Sequence, residues 1–321
     1  MFSISKKKEN GFDVIVLKDT ANGSLVEILP AHGALLHSFY VINEHKESIN
    51  VIEQYKDADD VKNNQEANGF KSAKLSPYVC RLANGSYTFG EHQYKVENFY
   101  MGDSAIHGLL YNRAFTVVHT NADEGSASVT LLAEYRKNDK GYPFNYDCQV
   151  TYSLQKENTL TITTKIINKD AGNIPVTDGW HPYFTFGNSI NHLQLEFQSK
   201  EMLEFDEGLL PTGRLLPYQD FGSLRIIGDT FFDNCFTVNF AECQPMLVLR
   251  DTDKKMQLEI YPEKTYPYLQ IYTPPHRNSI AIENLSSAPN AFNNAIGLRT
   301  LAPGKEADFI TTYKIALIHE K

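Results

Sequence analysis

The amino-acid sequence predicts an all-β protein, a sandwich or a barrel, on three observations. The dominant hydrophobic period is two residues, which is typical of strands that bury one face. Asn-Gly pairs, which favour tight turns, lie between the early alternating segments. Helical periodicity is almost absent, and only the polar stretch of residues 54–64 could form a short helix. Many short strands separated by Gly, Asn and Pro favour one of these two architectures.

The clearest predicted strand covers residues 145–154. Its alternate residues from Tyr146 to Leu154 are Tyr, Cys, Val, Tyr and Leu, whereas the residues between them are polar. A turn at residues 155–158 and a second alternating segment, residues 160–166, predict its hairpin partner. The same pattern predicts further strands at residues 129–135, 193–197, 256–260 and 309–317. The predicted tight turns are Asn10-Gly11, Asn22-Gly23 and Asn84-Gly85.

Length and composition limit the classes of protein. The 321 residues are enough for a substantial core, and 42% hydrophobic with 21% charged residues excludes a disordered chain. No repeat, linker or charge block interrupts the sequence, so we expect a single domain covering residues 1–321. The net charge of −9 disfavours nucleic acid as a partner, because a phosphate-binding surface needs Lys and Arg. The sequence leaves monomer and homodimer both open.

Motifs for redox, membrane, metal and nucleotide chemistry are missing from the sequence. Its four cysteines form no C-x-x-C pair, which is typical of reduced thiols. The N-terminus has no apolar signal region and no apolar run approaches a membrane span, so we expect a soluble, cytoplasmic protein without a membrane partner. The sequence has no metal-binding signature, P-loop or G-x-G-x-x-G, and we therefore expect no metal and no cofactor.

Two histidines stand out by their position. His181 follows the only Trp of the chain and precedes Pro182, so a braced imidazole is available for proton chemistry. His107 precedes Gly108 in a predicted loop, where the backbone can approach closely and the ring stays accessible. A hydrogen-bonded structural histidine explains either residue equally well when it is considered alone.

Three charged residues are further candidates. Arg81 lies among apolar neighbours and needs a carboxylate or a polyhydroxylated ligand, so a structural ion pair is its alternative. Asp233 lies between aromatic residues, where a carboxylate could contact a sugar ring or cap a turn. Glu283 alternates with Ile280 and Ile282, so its carboxylate projects from the opposite face of a strand. A solvated position on the sheet surface is the alternative for Glu283.

Six segments, in their order along the chain, resemble motifs of the aldose 1-epimerase (galactose mutarotase) family. The stretch from Cys80 to Tyr94 resembles the segment N-R-I-x-x-G-x-F…G…Y of the family, with Arg81 at its arginine. The other matches are L-H-G at Ile106–Gly108, G-Y-P…H-x-Y-F at Gly141–Phe184, D-x-x-F at Asp233–Phe236, Q-x-Y-T at Gln270–Thr273 and E…P-x-A-x-N at Glu283–Asn293. The resemblance covers nearly the whole chain.

The resemblance implies a large antiparallel β-sandwich and an isomerase that interconverts the α and β anomers of a free aldose such as galactose or glucose. It implies that Glu283 is the base for the C1 hydroxyl, that His181 is the acid for the ring oxygen, and that His107 steadies the ring oxygen or a neighbouring hydroxyl. The residues that would orient this monosaccharide are Arg81, Asp233 and Gln270. Cys80 stands where many members of the family have Asn. The resemblance does not identify the preferred aldose.

The acid role requires a protonated His181. An ordinary histidine pKa of about 6.5 would leave only about a quarter of the imidazole cationic at pH 7. Nearby carboxylates favour the imidazolium, so we expect Asp233 and Glu283 to raise the pKa of His181.

Two alternatives share this fold. An enzyme acting on hexose 6-phosphates would need extra cations, for which Arg81, Arg113 and Lys74 are the candidates. A non-catalytic carbohydrate-binding module would be expected to lack the acid or the base, and both residue types are present here.

Overall fold

The computed structural model describes residues 1–318, and antiparallel strands form almost all of its regular structure. The first five strands form one sheet in chain order. They are β1 (Phe2–Glu9), β2 (Phe12–Asp19), β3 (Leu25–Leu29), β4 (Leu35–Ile42) and β5 (Ser48–Asn50). The predicted Asn10-Gly11 and Asn22-Gly23 turns lie in the connections between its first three strands.

The middle of the chain continues with thirteen strands. They are β6 (Ala73–Leu75), β7 (Arg81–Leu82), β8 (Ser86–Phe89), β9 (His92–Lys95), β10 (Tyr100–Met101), β11 (Ser104–Ile106), β12 (Thr116–Ala122), β13 (Ser126–Arg136), β14 (Asn145–Gln155), β15 (Thr159–Asn168), β16 (Ile174–Val176), β17 (Gly179–His181) and β18 (Tyr183–Phe184).

The remaining strands are β19 (Gln194–Phe197), β20 (Glu201–Phe205), β21 (Pro211–Pro217), β22 (Arg225–Ile226), β23 (Asp233–Thr237), β24 (Leu247–Asp251), β25 (Met256–Pro262), β26 (Tyr268–Tyr272), β27 (Ile280–Leu285), β28 (Arg299–Leu301) and β29 (Glu306–Leu317). Two short helices, α1 (Ala58–Asn64) and α2 (Ala291–Asn294), accompany them. Among residues 1–318, no helix is long and apolar enough to cross a membrane.

The strand predictions are confirmed. The predicted segment 145–154 is β14, and β15 pairs with it as the hairpin partner, with Leu154 opposite Leu160. The predicted helix within residues 54–64 is α1, whose first turn is capped by the side chain of Asp57. Helix α2 was not predicted, because its four residues are too few to show a helical period. Asn84-Gly85 forms a short 3₁₀ turn before β8.

Two large antiparallel sheets form the sandwich. The nine-stranded sheet has the order β12-β13-β14-β15-β29-β25-β24-β19-β22. The eight-stranded sheet has the order β21-β20-β23-β26-β27-β17-β6, with β18 also paired to β27. Aromatic pairs connect the two sheets: the Phe184 and Tyr313 ring centroids lie 5.2 Å apart, and those of Trp180 and Tyr152 lie 5.9 Å apart.

The two faces of the eight-stranded sheet differ in chemistry. Ile280 and Ile282 of β27 are fully buried in the hydrophobic core between the sheets. Side chains alternate along a strand, so Ala281 and Glu283 project from the other face. On β17 the same alternation sends Trp180 into the core and His181 to the opposite face. The alternation of apolar and polar residues therefore places the candidate histidine and glutamate on one surface.

A buried ion pair lies on the core side of this sheet. Lys74 of β6 is opposite Trp180 in register, and neither it nor Asp178 is exposed to solvent. The Lys74 Nζ donates to Asp178 Oδ2 at 2.5 Å and to the Gly179 carbonyl at 3.1 Å. The Tyr266 hydroxyl donates to the other Asp178 oxygen at 2.6 Å. This network joins β6, the residue before β17 and the loop before β26.

We expect Asp178→Asn to lower the free energy of unfolding by about 3–5 kcal/mol, because it leaves the Lys74 charge buried without its carboxylate. The matched control is Asp13→Asn, which removes an exposed carboxylate 3.3 Å from Lys8. That change should cost under about 1 kcal/mol. Urea unfolding of both variants measures the difference, and equal losses would contradict the importance of the buried pair.

Candidate active site

A cavity of about 450 Å³ opens on the polar face of the eight-stranded sheet. All six residues singled out in the sequence line it: Arg81, His107, His181, Asp233, Gln270 and Glu283. They lie far apart in sequence and come from five strands and one loop. The fold therefore brings together every candidate that the sequence identified.

Neighbouring strands place three of these side chains in one row across the sheet. Gln270 of β26 is directly opposite Glu283 of β27. Gly179 of β17 is opposite Leu285, and the antiparallel register continues to bring His181 beside Glu283. The His181 Nε2 lies 3.4 Å from Glu283 Oε1. Glu283 is only 2% exposed, so its carboxyl group lies on a cavity floor rather than on a solvated sheet surface.

A small three-stranded sheet, with the order β10-β11-β7, brings Arg81 and His107 over this floor. Arg81 of β7 is in register with Ile106, the last residue of β11, and His107 follows directly. The His107 ring lies 5.0 Å from the His181 ring, nearly perpendicular to it. His107 has a φ of 61°, in the left-handed region, and Gly108 passes so close to Ser76 that a Cβ would clash with its carbonyl oxygen.

Asp233 completes the group from β23. Its carboxylate Oδ1 accepts a hydrogen bond of 3.0 Å from the Gln270 amide, which holds both side chains in place. Tyr272 is opposite Asp233 in register and also lines the cavity. The Arg81 charge acts on Asp233 electrostatically, although burial is the larger effect and raises the pKa of the Asp233 carboxyl. Of the aromatic residues next to Asp233 in sequence, Phe232 and Phe236 lie in the hydrophobic core and Phe231 is exposed, so they do not line the cavity.

Burial controls the protonation of the central pair. Removal from water raises the pKa of Glu283 well above its usual range, and the Asp233 charge adds to that effect. The same burial lowers the pKa of His181 to about 4 and that of His107 well below its ordinary value. The expectation that the carboxylates raise the pKa of His181 is wrong for the free protein, because desolvation outweighs their attraction. Burial therefore disfavours the charged form of both members of the pair.

Several polar atoms of the cavity lack a protein partner. Within residues 1–318, four such buried atoms have no protein hydrogen bond, and they are the Nδ1 atoms of His107 and His181, the Oε1 of Gln270 and the Oε2 of Glu283. Buried polar groups are normally hydrogen-bonded, so these four atoms keep hydrogen-bonding capacity that the protein does not use.

Other cavity residues escaped the sequence reasoning. Tyr183, part of the quoted H-x-Y-F segment, stacks on His181 with 5.2 Å between ring centroids and an angle of 6°. Glu53, Lys71 and His276 also line the cavity, but no local motif marks them. Lys71 forms an ion pair with Glu53, which belongs to another segment of the chain. A pair of this kind leaves no periodic pattern in the sequence that could have identified it.

Two of the three cations suggested for a phosphate lie elsewhere. Lys74 is buried on the core side of the sheet with Asp178. Arg113 lines a separate depression, where its guanidinium lies 5.3 Å from the centre of the Tyr135 ring. Only Arg81 of the three lines the cavity.

One group of potential metal ligands lies outside the cavity. Donor atoms of His192, Asp251 and Asp253 lie within 4.8 Å of one another. The buried Asp251 carboxylate already accepts the backbone N–H groups of Asp253 and Lys254, which closes the turn after β24. This group is therefore explained by turn formation.

Comparison with known proteins places the chain among carbohydrate-active relatives. Residues 13–314 match the family model described as aldose 1-epimerase. The uncharacterized protein YihR of Escherichia coli K12 is 29% identical over 242 residues, which cover 72% of this chain and 74% of YihR. The aldose 1-epimerase of the same organism is 25% identical over 233 residues, covering 65% of this chain and 64% of that enzyme.

Among solved structures, a galactose mutarotase-like protein from Clostridium acetobutylicum superposes with a TM-score of 0.86. It is 18% identical, and the superposition covers 99% of both chains. At this identity the similarity concerns the fold, which is the all-β, galactose mutarotase-like sandwich.

We expect the His181 ring to titrate near pH 4 in the free protein, because burial disfavours the imidazolium. Since the unfolded chain binds this proton with a pKa of about 6.5, the same group lowers the free energy of unfolding as the pH falls from about 6.5 towards 4. NMR of the ring nitrogens measures the midpoint, with exposed His92 as an internal reference. A midpoint at or above pH 6.5 would show that desolvation does not control this ring.

Proposed function

Because the chain belongs to the aldose 1-epimerase family, we propose that it is a mutarotase that interconverts the α and β anomers of a free aldose such as galactose or glucose. The family and the fold support the broader role of a carbohydrate epimerase. The observation that carries the specific proposal is the contact of 3.4 Å between His181 Nε2 and Glu283 Oε1 on the floor of a polar cavity. Ring opening requires a base that reaches the C1 hydroxyl and an acid that reaches the ring oxygen, and both oxygens are bonded to the same carbon, so the two groups must lie close together.

The proposed reaction begins with proton transfer at two oxygens of the sugar. Glu283 takes the proton of the C1 hydroxyl while His181 gives a proton to the ring oxygen. The bond between C1 and the ring oxygen breaks, and a carbonyl forms at C1. Rotation about the C1–C2 bond exposes the other face of the carbonyl, and ring closure returns both protons. No net proton or electron is gained or lost.

The proposed cycle needs one proton shared between Glu283 and His181. In the free protein, burial raises the pKa of Glu283 and lowers that of His181, which favours this proton on the carboxyl group. Sugar hydroxyls that donate to Glu283 would stabilise its carboxylate, and the nearby Asp233 charge would then favour an imidazolium at His181. We therefore propose that sugar binding moves the shared proton from Glu283 to His181.

The remaining residues are assigned by their positions. His107 lies against His181 and has a free buried Nδ1, so it can steady the ring oxygen or a neighbouring hydroxyl. Asp233 and Gln270 hold each other and can bind adjacent hydroxyls of the sugar. Arg81 supplies a donor from the other side of the cavity.

The charges of the cavity favour an uncharged sugar over a hexose 6-phosphate. Among residues 1–318, the two cations that line it are Arg81 and Lys71, and Lys71 is paired with Glu53 at 2.6 Å. Four carboxyl groups line the same space, those of Glu53, Glu66, Asp233 and Glu283. A phosphate dianion would meet more negative than positive charge there.

Replacement of either member of the central pair should abolish most of the activity. We expect Glu283→Gln and His181→Asn each to lower kcat for anomer exchange at least about 100-fold, since each removes a proton-transfer group. Exchange is measured by NMR or polarimetry. The matched controls are Glu134→Gln and His119→Asn, which change exposed residues and should leave the rate unaltered. Near-normal rates in both site variants would refute the proposed mechanism.

The preference for an uncharged sugar can be tested with glucose and glucose 6-phosphate. We expect kcat/KM for glucose to exceed that for glucose 6-phosphate at least about tenfold, because the phosphate would be repelled by the carboxylates of the cavity. Raising the salt concentration should reduce the difference in kcat/KM between the two sugars, since screening weakens that repulsion. A preference for the phosphate would instead support the hexose 6-phosphate alternative.

A further inference from the structure

Tyr183 lies against His181, the proposed acid, and has no part in the proposed proton transfers. Only Pro182 separates the two residues, and the alternation of side chains along β17 and β18 places both rings on the cavity side of the sheet. The ring planes are within 6° of parallel, with 5.2 Å between their centroids. Tyr183 is only 2% exposed, so the surrounding protein holds its ring. One face of the imidazole is therefore covered by an aromatic ring.

Hydrogen bonds alone do not fix the orientation of the His181 ring. A catalytic histidine is usually oriented by a carboxylate or a carbonyl group that accepts from its second ring nitrogen. In the part of the chain that the structure describes, the buried Nδ1 of His181 has no such partner from another residue. Its Nε2 faces Glu283, a group that must itself exchange a proton. The remaining ring contacts are with Tyr183, which is parallel, and His107, which is nearly perpendicular. Aromatic packing therefore holds the plane of the imidazole.

The tip of the Tyr183 ring is held by the loop that follows α1. Gly69 of this loop has a φ of 70° and lies so close to the Tyr183 hydroxyl that a Cβ would clash with its oxygen. A residue with a side chain could not take this position without displacing the tyrosine. The backbone N–H of Glu53 donates to the Tyr183 carbonyl at 2.9 Å. Tyr183 is thus supported both at its main chain and at the tip of its ring.

We propose that Tyr183 is a positioning residue, which holds the plane of the His181 ring and stabilises its imidazolium form through the face of the tyrosine ring. This inference rests on the proposed mutarotase function and deepens it. The face of an aromatic ring is negative and attracts a cation that lies within about 6 Å of its centre. The proposed cycle puts a positive charge on His181 once a sugar is bound, and that charge faces Tyr183. Because this attraction acts mainly on the charged imidazole, it favours the state that the reaction uses.

The charged groups around His181 stay in place when only Tyr183 is changed. Glu283 of β27 and His107, which follows β11, contact the imidazole directly. Among residues 1–318, the other charged or titratable side chains considered at the cavity wall are Glu53, Glu66, Lys71, Arg81, Asp233 and His276. A shift in pH dependence in a variant of Tyr183 therefore reports the loss of its ring.

The main variant is Tyr183→Leu, which keeps an apolar side chain and removes the aromatic face. We expect kcat for glucose to fall about tenfold and KM to change less than about twofold, because the acid is affected and not the binding of the sugar. The pH above which kcat declines should move lower by up to about one unit, since loss of the ring lowers the pKa of the imidazolium in the sugar complex. Tyr183→Phe keeps the aromatic face and should stay within about twofold of the wild type. NMR of anomer exchange over a range of pH measures both constants.

Gly69→Ala tests the same contact with Tyr183 unchanged, and it serves if the leucine variant does not fold. The added methyl group meets the tyrosine oxygen, so the ring must move and kcat should fall. Combination with Tyr183→Phe removes that oxygen and should restore part of the lost activity. The strain of an alanine at this φ is present in both backgrounds, so it cancels in the comparison. Equal losses in both backgrounds would contradict support of the ring by Gly69.

The outcomes separate the two proposals. A wild type that exchanges no sugar refutes the mutarotase function itself. In an active enzyme, an unchanged kcat in Tyr183→Leu refutes the positioning role, and so does a rise in KM alone, which would indicate a substrate contact. A fall in kcat without a shift in its pH dependence also refutes the proposal, since a purely structural role would produce it. Equal effects of Leu and Phe would assign the loss to the hydroxyl group and not to the stacked ring.

Discussion

The candidate site depends on one geometric constraint, the alternation of side chains along the strands of the eight-stranded sheet. One face of that sheet must be apolar to pack on the nine-stranded sheet, as Ile280, Ile282 and Trp180 do. The other face then receives Glu283 and His181 at the positions between them. Any one-residue shift in the pairing would bury the wrong set of side chains, so core packing also fixes the register of the site.

The loops around the cavity carry backbone strain that this packing must support. Phe70, Cys80 and His107 all line the cavity with positive φ values, a conformation that is uncommon for residues with a Cβ. Each such residue costs on the order of 1 kcal/mol or more, and such residues concentrate at functional sites. At His107 the strained conformation serves the site. Gly108 packs closely against Ser76, and the resulting tight turn directs the His107 ring towards His181.

The sequence predicted the strands and the six site residues because both have local signals. Period-two alternation identified β14 and β15, and short motifs singled out His181, Glu283 and the residues grouped with them. It could not predict Glu53 with Lys71, since their contact depends on the packing of distant segments. It also gave the wrong charge for His181, because a sequence shows which carboxylates are present but not how much water is excluded.

In the proposed mechanism, that exclusion of water would explain how the pair of His181 and Glu283 provides both an acid and a base. Without a substrate, burial disfavours the charged forms of His181 and Glu283, because it lowers the pKa of the imidazole and raises the pKa of the carboxyl group. A bound sugar brings hydroxyl dipoles into the same space and replaces part of the lost solvation. Under this proposal, the charged form of the pair becomes accessible only when a substrate is bound to receive the proton. Desolvation would then make the protonation of His181 depend on a bound sugar, which a solvated histidine with an ordinary pKa would not do.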